Sequence, residues 1–418
     1  DAVTDCTDYC HPMYQLLHGL RVIECASFIA APTCSLHLQQ MGAEVIRIDP
    51  IGGGPDSHRW PLSAGGSSLY WEGLNKGKQS IAVDFASPEG RALVARLVCA
   101  PGAGGGLFVT NFPVDGFLSH ERLRQGRSDL ITTRVMGWAD GTPAVDYTVN
   151  AAIGVPYMTG PEASGDAPVN HVLPAWDLIA GAYAAFATLA AERHRKATGE
   201  GQEVRIPLSD IAIASLGHLG QIAEVQNSGD RPKMGNNLFG AFGRDFKTAD
   251  GRRLMVVAIT PRQWTGLVAS LELGQAVAGI ESALGVSFAK DEGLRFAHRN
   301  LLTPLVEAAI SRRDASSLTA AFDANGVCWG PYHTLKEAIA GEPRLVSGNP
   351  LFSPVAHPSG LTYPTPGAAA TMSHGVRGNA TRAPRLGEHT DQVLSSLLGL
   401  TPTEIGHLHD AGRVAGPA

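Results

Sequence analysis

The stretch "LRVIECASFIAAPTCSLHLQQMGAEVIRID" (Leu20–Asp49) decides the fold. "LRVIECA" is a short apolar, β-branched run and reads as a buried strand. "APTCSLHLQQMG" then takes up helical spacing, with Pro32 near the first turn and Gly42 where a C-terminal cap falls. "AEVIRID" is a second strand. Strand, helix and strand within about thirty residues form a βαβ unit, so a parallel α/β sheet is expected.

The pattern continues downstream. "SIAVDF" is a strand, and "SPEGRALVARLV" is a helix with Ser87 as N-cap and Pro88 at its first position. "LFVTNF" and "LITTRVMGW" follow as strands. Asn170 to about Glu224 is mainly helical, broken by the strand "EVRIPL", after which Ser209 and Asp210 introduce a further helix. Gly, Pro, Asn and charge cluster in "NSGDRPKMGNN" (Asn227–Asn237), which marks a boundary. Beyond it "DFKTADGRRLMVVAI" reads as a hairpin turning at Ala249-Asp250-Gly251. The expected layout is an N-terminal arm over 1–19 and the first part of a large parallel-sheet, Rossmann-like domain over 20–228. A smaller α+β domain over 229–340 and a C-terminal return to the large domain over 341–418 complete it.

At 418 residues, 44% hydrophobic and 17% charged, the chain has the make-up of a two-domain globular protein with a sizeable core. A net charge of −6 and a pI near 6.2 give no basic field for nucleic acid. No apolar run has transmembrane length, and the acidic start "DAVTDCTDYCHPMYQLL" lacks the features of a secretory signal. The six cysteines (Cys6, Cys10, Cys25, Cys34, Cys99 and Cys328) are too scattered for a disulfide framework or paired zinc ligands. Cys6, Cys10 and His11 are a weak metal cluster, and no metal is expected. The expected compartment is the cytoplasm.

Several chemistries drop out. A dinucleotide site needs GxGxxG after the first strand, and "SFIAAP" stands there instead. "GGGPDSH" after the second strand opens no helix. GxxxxGK[ST] and HExxH are absent, and "IASLG" has Ile213 where a nucleophile elbow needs Gly. His407 and His409 sit in a polar helix and read as solvated. What remains is Asp177 in "LPAWDLIAGAYAAFATLAA", a lone carboxylate opening an Ala/Gly-rich helix. It reads either as a helix cap or as a nucleophile shielded from water, with small residues behind it allowing close approach. The residues alone leave both open.

The chain resembles CoA-transferase family III, which includes formyl-CoA transferase and carnitine CoA-transferase, with α-methylacyl-CoA racemase as a relative. The resemblance runs from about Leu20 to Gly412. It is carried by "LHGLRVIECASFIAAP", "MGAEVIRIDPIGGGPDSHR", "NKGKQSIAVDFASPEGRALVARLV", "VTNF", "LPAWDLIAGAYAAFATLAAERHRKATGEGQEVRIPLSD", "GVCWGPYHTLKEA" and "APRLGEHTDQVL". Within the family, "VDYTVNAAIGVPYMTGP", "VNHVLPAWD" and "GAFGRDFKTADGRRLMVVAITPRQW" are most similar to the branch that moves CoA between the C1 and C4 carboxyls of mesaconate.

The resemblance implies Asp177 as nucleophile, forming first a mixed anhydride with the acyl group and then a thioester with CoA. By position in the motifs it offers Phe28, Arg59, Lys78, Val83 and Arg122 for CoA. Asp146, Tyr147 and Asn150 are the candidates for the substrate. It implies no tightly bound cofactor, with coenzyme A arriving as part of the substrate. The expected partners are an acyl-CoA and a small carboxylic acid, a dicarboxylate above all. The resemblance also implies an obligate homodimer of two interlocked rings.

The sequence departs from the family pattern in places. Pro113 replaces the Arg of "ENFRPG", Gln79 replaces the second basic residue of "GKRS", and "LVCAPGAGGGLFV" carries a Gly-rich insert. The racemase's His is missing beside Asp146, where Val145 stands, so two-base proton transfer is the weaker expectation. An intermolecular CoA-transferase with a separate acid acceptor is the runner-up, and a non-catalytic CoA-binding module is the alternative of another class.

Overall fold

The computed structural model describes residues 14–417, so Cys6, Cys10, His11 and most of the expected N-terminal arm lie outside the described residues. The described chain divides into two compact units. The first comprises residues up to Ile153, Val172–Ala223 and Pro343 onward; the second comprises Gly154–His171 and Glu224–Glu342.

The first unit is built on β1 (Arg21–Cys25), β2 (Glu44–Pro50), β3 (Gln79–Val83), β4 (Leu107–Thr110), β5 (Ile131–Met136) and β6 (Glu203–Pro207). They form one sheet in the order β3-β2-β1-β4-β5-β6, all parallel. A seventh strand, Val414–Ala415, runs antiparallel along the outer edge of β3. Helices fill the crossovers: α1 (Ala30–Gln40), α2 (Leu69–Asn75), α3 (Pro88–Val98) and α4 (His120–Gly126). Then come α5 (Asp146–Ala152), α6 (Val155–Met158, in the second unit), α7 (Ala175–Thr198) and α8 (Leu208–His218). The βαβ reading of Leu20–Asp49 appears as β1-α1-β2. Ser87 caps α3 by accepting the Gly90 N–H, with Pro88 at the first position.

The core of this sheet is aliphatic. Ile23, Ile46, Ile48, Ile81, Val83 and Phe108 pack with Leu93, Val94 and Leu97 of α3 and with Val393 and Leu394 from the returning C-terminal part. On the other face α1 lies against α7. A Cβ at Gly181 would come within 2.8 Å of the Ala30 carbonyl and 2.7 Å of Thr33 Cβ. The small residues of α7 therefore serve the approach of α1.

Inside this apolar frame sits a buried ionic cluster. Lys78 Nζ donates to Glu24 Oε2 (2.7 Å), Asn75 Oδ1 (3.0 Å) and the Pro32 carbonyl (2.9 Å). Arg47 bridges Glu24 (3.3 Å), Asp49 (2.8 Å) and Asp56 (2.9 Å). Ser35 Oγ also donates to Glu24. Arg47, Lys78 and Glu24 are fully enclosed. A buried cation is tolerable only with its partners in place.

In the second unit β7 (Phe242–Lys247), β8 (Arg253–Ala258) and β9 (Cys328–Pro331) form an antiparallel sheet, the first two joined by the expected turn at Ala249-Asp250-Gly251. Phe242, Phe246, Trp264, Phe288, Leu318 and Phe322 are its core. The sequence reading placed all of 20–228 in the large domain. Gly154–His171 instead groups with the second unit, where Lys233 Nζ donates to Ser164 Oγ and the Ala167 carbonyl, and Gly235 N–H donates to the Gly160 carbonyl. No helix among the described residues is long and apolar enough to cross a membrane.

Candidate active site

The order of the strands locates the site. The chain builds outward from β1 through β2 to β3, then returns to place β4 on the other side of β1. At such a reversal the loops leaving neighbouring strands part in opposite directions, opening a crevice at their carboxyl ends. Ser27 and Phe28 leave β1 there, and Asn111 and Phe112 leave β4. All four line a cavity of about 910 Å3 that also takes in Arg59, Tyr70, Asp146 and Asp177.

Its walls are fixed by side chains. Asn111 Nδ2 donates to the Ser27 carbonyl (2.9 Å) and its Oδ1 accepts the Ser27 N–H (3.2 Å), tying the two loops across the crevice. Phe28 holds a left-handed conformation (φ 70°), unusual for a residue with a Cβ. Its N–H donates to Asp56 Oδ2 (3.0 Å), and Asp56 is itself held by Arg47. The buried cluster thus ends at the cavity. Arg134, an enclosed residue of β5, donates to the carbonyls of Phe112, Pro113 and Leu118 and to Glu203. The wall loop is therefore anchored by an arginine beneath Pro113.

Asp177 is not the cap of its helix. The N-cap is Pro174, and Asp177 is the third helical residue. The capping carboxylate comes from α5: Asp146 Oδ2 accepts the backbone N–H groups of Trp176 (2.7 Å) and Asp177 (3.1 Å). Two of the donors that a helix start leaves unpaired are satisfied by a borrowed side chain. The Asp177 carboxyl is left to the cavity. Burial, with the negative charge of Asp146 added, pushes its pKa up to about 7, and Arg59 partly opposes the rise. A carboxylate held near neutrality and poorly solvated is a stronger nucleophile than one in water.

The other expected residues fall in different places. Phe28, Arg59, Asp146 and Tyr147 share the cavity with Asp177. Tyr147 donates its hydroxyl to the Val172 carbonyl (3.2 Å). Asn150 is fully buried and accepts the Trp176 indole N–H (3.1 Å), so it braces the residue that precedes Asp177. Lys78 is enclosed in the ionic cluster. Val83 is buried, and the outer edge of its strand is covered by Val414–Ala415. Arg122 lines a separate cavity of about 710 Å3 with Arg91, Arg96 and Phe117. Asn111, Asp56, Tyr70 and Arg134 were not singled out from the sequence. Asn111 lies in "VTNF" and Asp56 in "GGGPDSH", so motif position was the available signal for those two.

A switch-point cavity in a parallel sheet, with a desolvated carboxylate at the start of a helix, is a ligand-binding site of the α/β class. The family model for CoA-transferase family III matches residues 17–390, and the chain belongs to that family. It is 49% identical to 2-methylfumaryl-CoA isomerase of Chloroflexus aurantiacus over 97% of this chain and 99% of that protein. Succinyl-CoA–D-citramalate CoA-transferase of the same organism is 30% identical, covering 94% of this chain and 96% of its own length. Among solved structures, a CAIB/BAIF family protein from Brucella suis aligns with a TM-score of 0.73 and 25% identity, covering 91% of this chain and 99% of that one.

The raised Asp177 fixes one expectation. If the carboxylate form attacks, kcat/KM for the acyl-CoA should climb about tenfold per pH unit below pH 7 and level off above it. Asp146→Asn keeps an acceptor for the helix start but removes a negative charge, so its profile should move to lower pH. Rate profiles of the two proteins between pH 5 and 9, with stability checked at each end, test this (about four units spanning the titration).

Proposed function

We propose that this chain exchanges coenzyme A between the C1 and C4 carboxyls of one molecule of 2-methylfumarate (mesaconate), through covalent intermediates on Asp177. The observation that carries the reading is an uncapped, desolvated carboxylate facing the switch-point cavity. The name of the 49% identical relative supports the substrate.

A carboxylate does not exchange with a thioester readily, so the work is divided. An Asp177 oxygen attacks the thioester carbonyl carbon, and the C–S bond breaks to release CoA thiolate and leave an acyl–aspartyl anhydride. The thiolate then attacks the Asp177 carbonyl carbon, freeing the acid as its dicarboxylate and leaving an aspartyl–CoA thioester. The acid's other carboxylate attacks that thioester, regenerating an anhydride and thiolate. Attack of the thiolate on the acyl carbon gives the isomeric thioester and returns Asp177. No proton, electron or second acid is consumed. The tetrahedral oxyanions call for N–H donors, and Ala30 and Ala31, which line the same cavity, belong to the first turn of α1, where backbone N–H groups lack helical acceptors.

We further infer that two copies associate, in the interlocked manner of the family. The outer face of α7 supports this: Leu178, Ile179, Tyr183 and Phe186 are exposed together, and a contiguous apolar face is rarely left to water.

The decisive experiment supplies a single mesaconyl-CoA regioisomer with no free acid. Interconversion of the two regioisomers at a rate independent of added mesaconate is expected. A strict requirement for a second acid would replace this reading with intermolecular transfer.

A further inference from the structure

We propose that Arg59 is the specificity-determining residue of this cavity, its guanidinium taking the free carboxylate of the acyl group so that acyl-CoAs bearing a second carboxyl are selected. The proposal rests on the reading of the site as one acting on a dicarboxylic acyl-CoA.

The argument is one of elimination and position. Three cations line the cavity: Arg59, Arg134 and Arg205. Arg134 is enclosed and spends its donors on Glu203 and three loop carbonyls. Arg205 is paired with Glu203 at 2.8 Å. Arg59 is exposed, and among the described residues no carboxylate lies within ion-pair distance of its guanidinium. The guanidinium is nevertheless held in place by two aromatic rings, 5.6 Å from the centroid of Phe28 and 5.5 Å from that of Tyr70. Two aromatic faces orient a planar cation while leaving its N–H edge to a ligand.

Its position separates it from the CoA diphosphate. The pantetheine arm keeps the diphosphate far from the thioester carbon, whereas Arg59 lines the same cavity as Asp177 and its positive charge counters the rise in that carboxyl's pKa. It therefore stands on the acyl side. Apart from the paired Arg134 and Arg205, the remaining charged side chains of the cavity are acidic (Asp115, Asp140, Asp146 and Asp177), so without Arg59 a dicarboxylic acyl group would meet no cation free of a carboxylate partner.

The test measures binding in an Asp177→Asn background, where no turnover intervenes. Three probes are titrated: mesaconyl-CoA, an acyl-CoA of equal length ending in a methyl group, and free CoA. Adding Arg59→Gln should weaken mesaconyl-CoA roughly 100-fold, the scale of a lost charge-assisted pair, and leave the other two within a few-fold. Arg59→Lys should recover part of the loss. Equal weakening of all three probes would make Arg59 a CoA contact and overturn the proposal, as would no change in any. Trapping the aspartyl adduct with Asp177 intact is scored separately: its absence would remove the covalent relay while leaving the selectivity result standing.

Discussion

Asp177→Asn is expected to lower CoA transfer on the order of 10^4-fold, because an amide oxygen can neither open the thioester nor carry the acyl group onward. The same substitution should make the protein more stable. Asp177 binds its proton up to about pH 7 in the native state, against 3.8 ordinarily. A carboxyl raised on folding leaves the native state holding more protons than the unfolded chain between those values. The wild type therefore loses stability as pH rises through that window. Asn carries no such penalty, so its advantage should be absent near pH 4 and full above pH 7, on the order of 1–3 kcal/mol after allowing for solvent screening. Parallel urea titrations at acid and alkaline pH, alongside the activity assay, read both effects. An Asn variant that transfers CoA at the wild-type rate would leave the proposed mechanism without its nucleophile.

Lys78→Met should instead act on the fold. With the ammonium gone, Glu24 keeps Arg47 and Ser35 but loses its 2.7 Å partner in a site closed to water. Breaking a buried pair from one side costs about 3–5 kcal/mol. Asp56, which holds the turn at Phe28, keeps its own partner Arg47, so the cavity wall should retain its shape in the folded protein. The expected result is a lower urea midpoint with KM for the acyl-CoA little changed in the protein that remains folded. Unchanged stability with a raised KM would assign Lys78 to CoA phosphate after all.

These two residues show where the sequence was readable. Alternating apolar runs and turn signals define β1, α1 and β2 because each is a local pattern, and the Ser87-Pro88 start of α3 is local as well. The crevice is not local. It depends on β4 returning beside β1, a choice made by packing between strands far apart in sequence. Lys78 looks like any basic residue in a "GK" motif until β1, α2 and β2 surround it with Glu24, Asn75 and Arg47. Asp177 looked like a cap because Asp commonly is one. The acceptor on α5 that takes over this duty lies 31 residues upstream and carries no signature that pairs it with α7.

The borrowed acceptor has an implication for redesign. In the proposed mechanism, reactivity at position 177 and the anchoring of its helix belong to different side chains, so one can be exchanged while the other stays. Installing a thiol or a hydroxyl there asks nothing new of the scaffold, which makes this position a natural socket for nucleophiles of other chemistry.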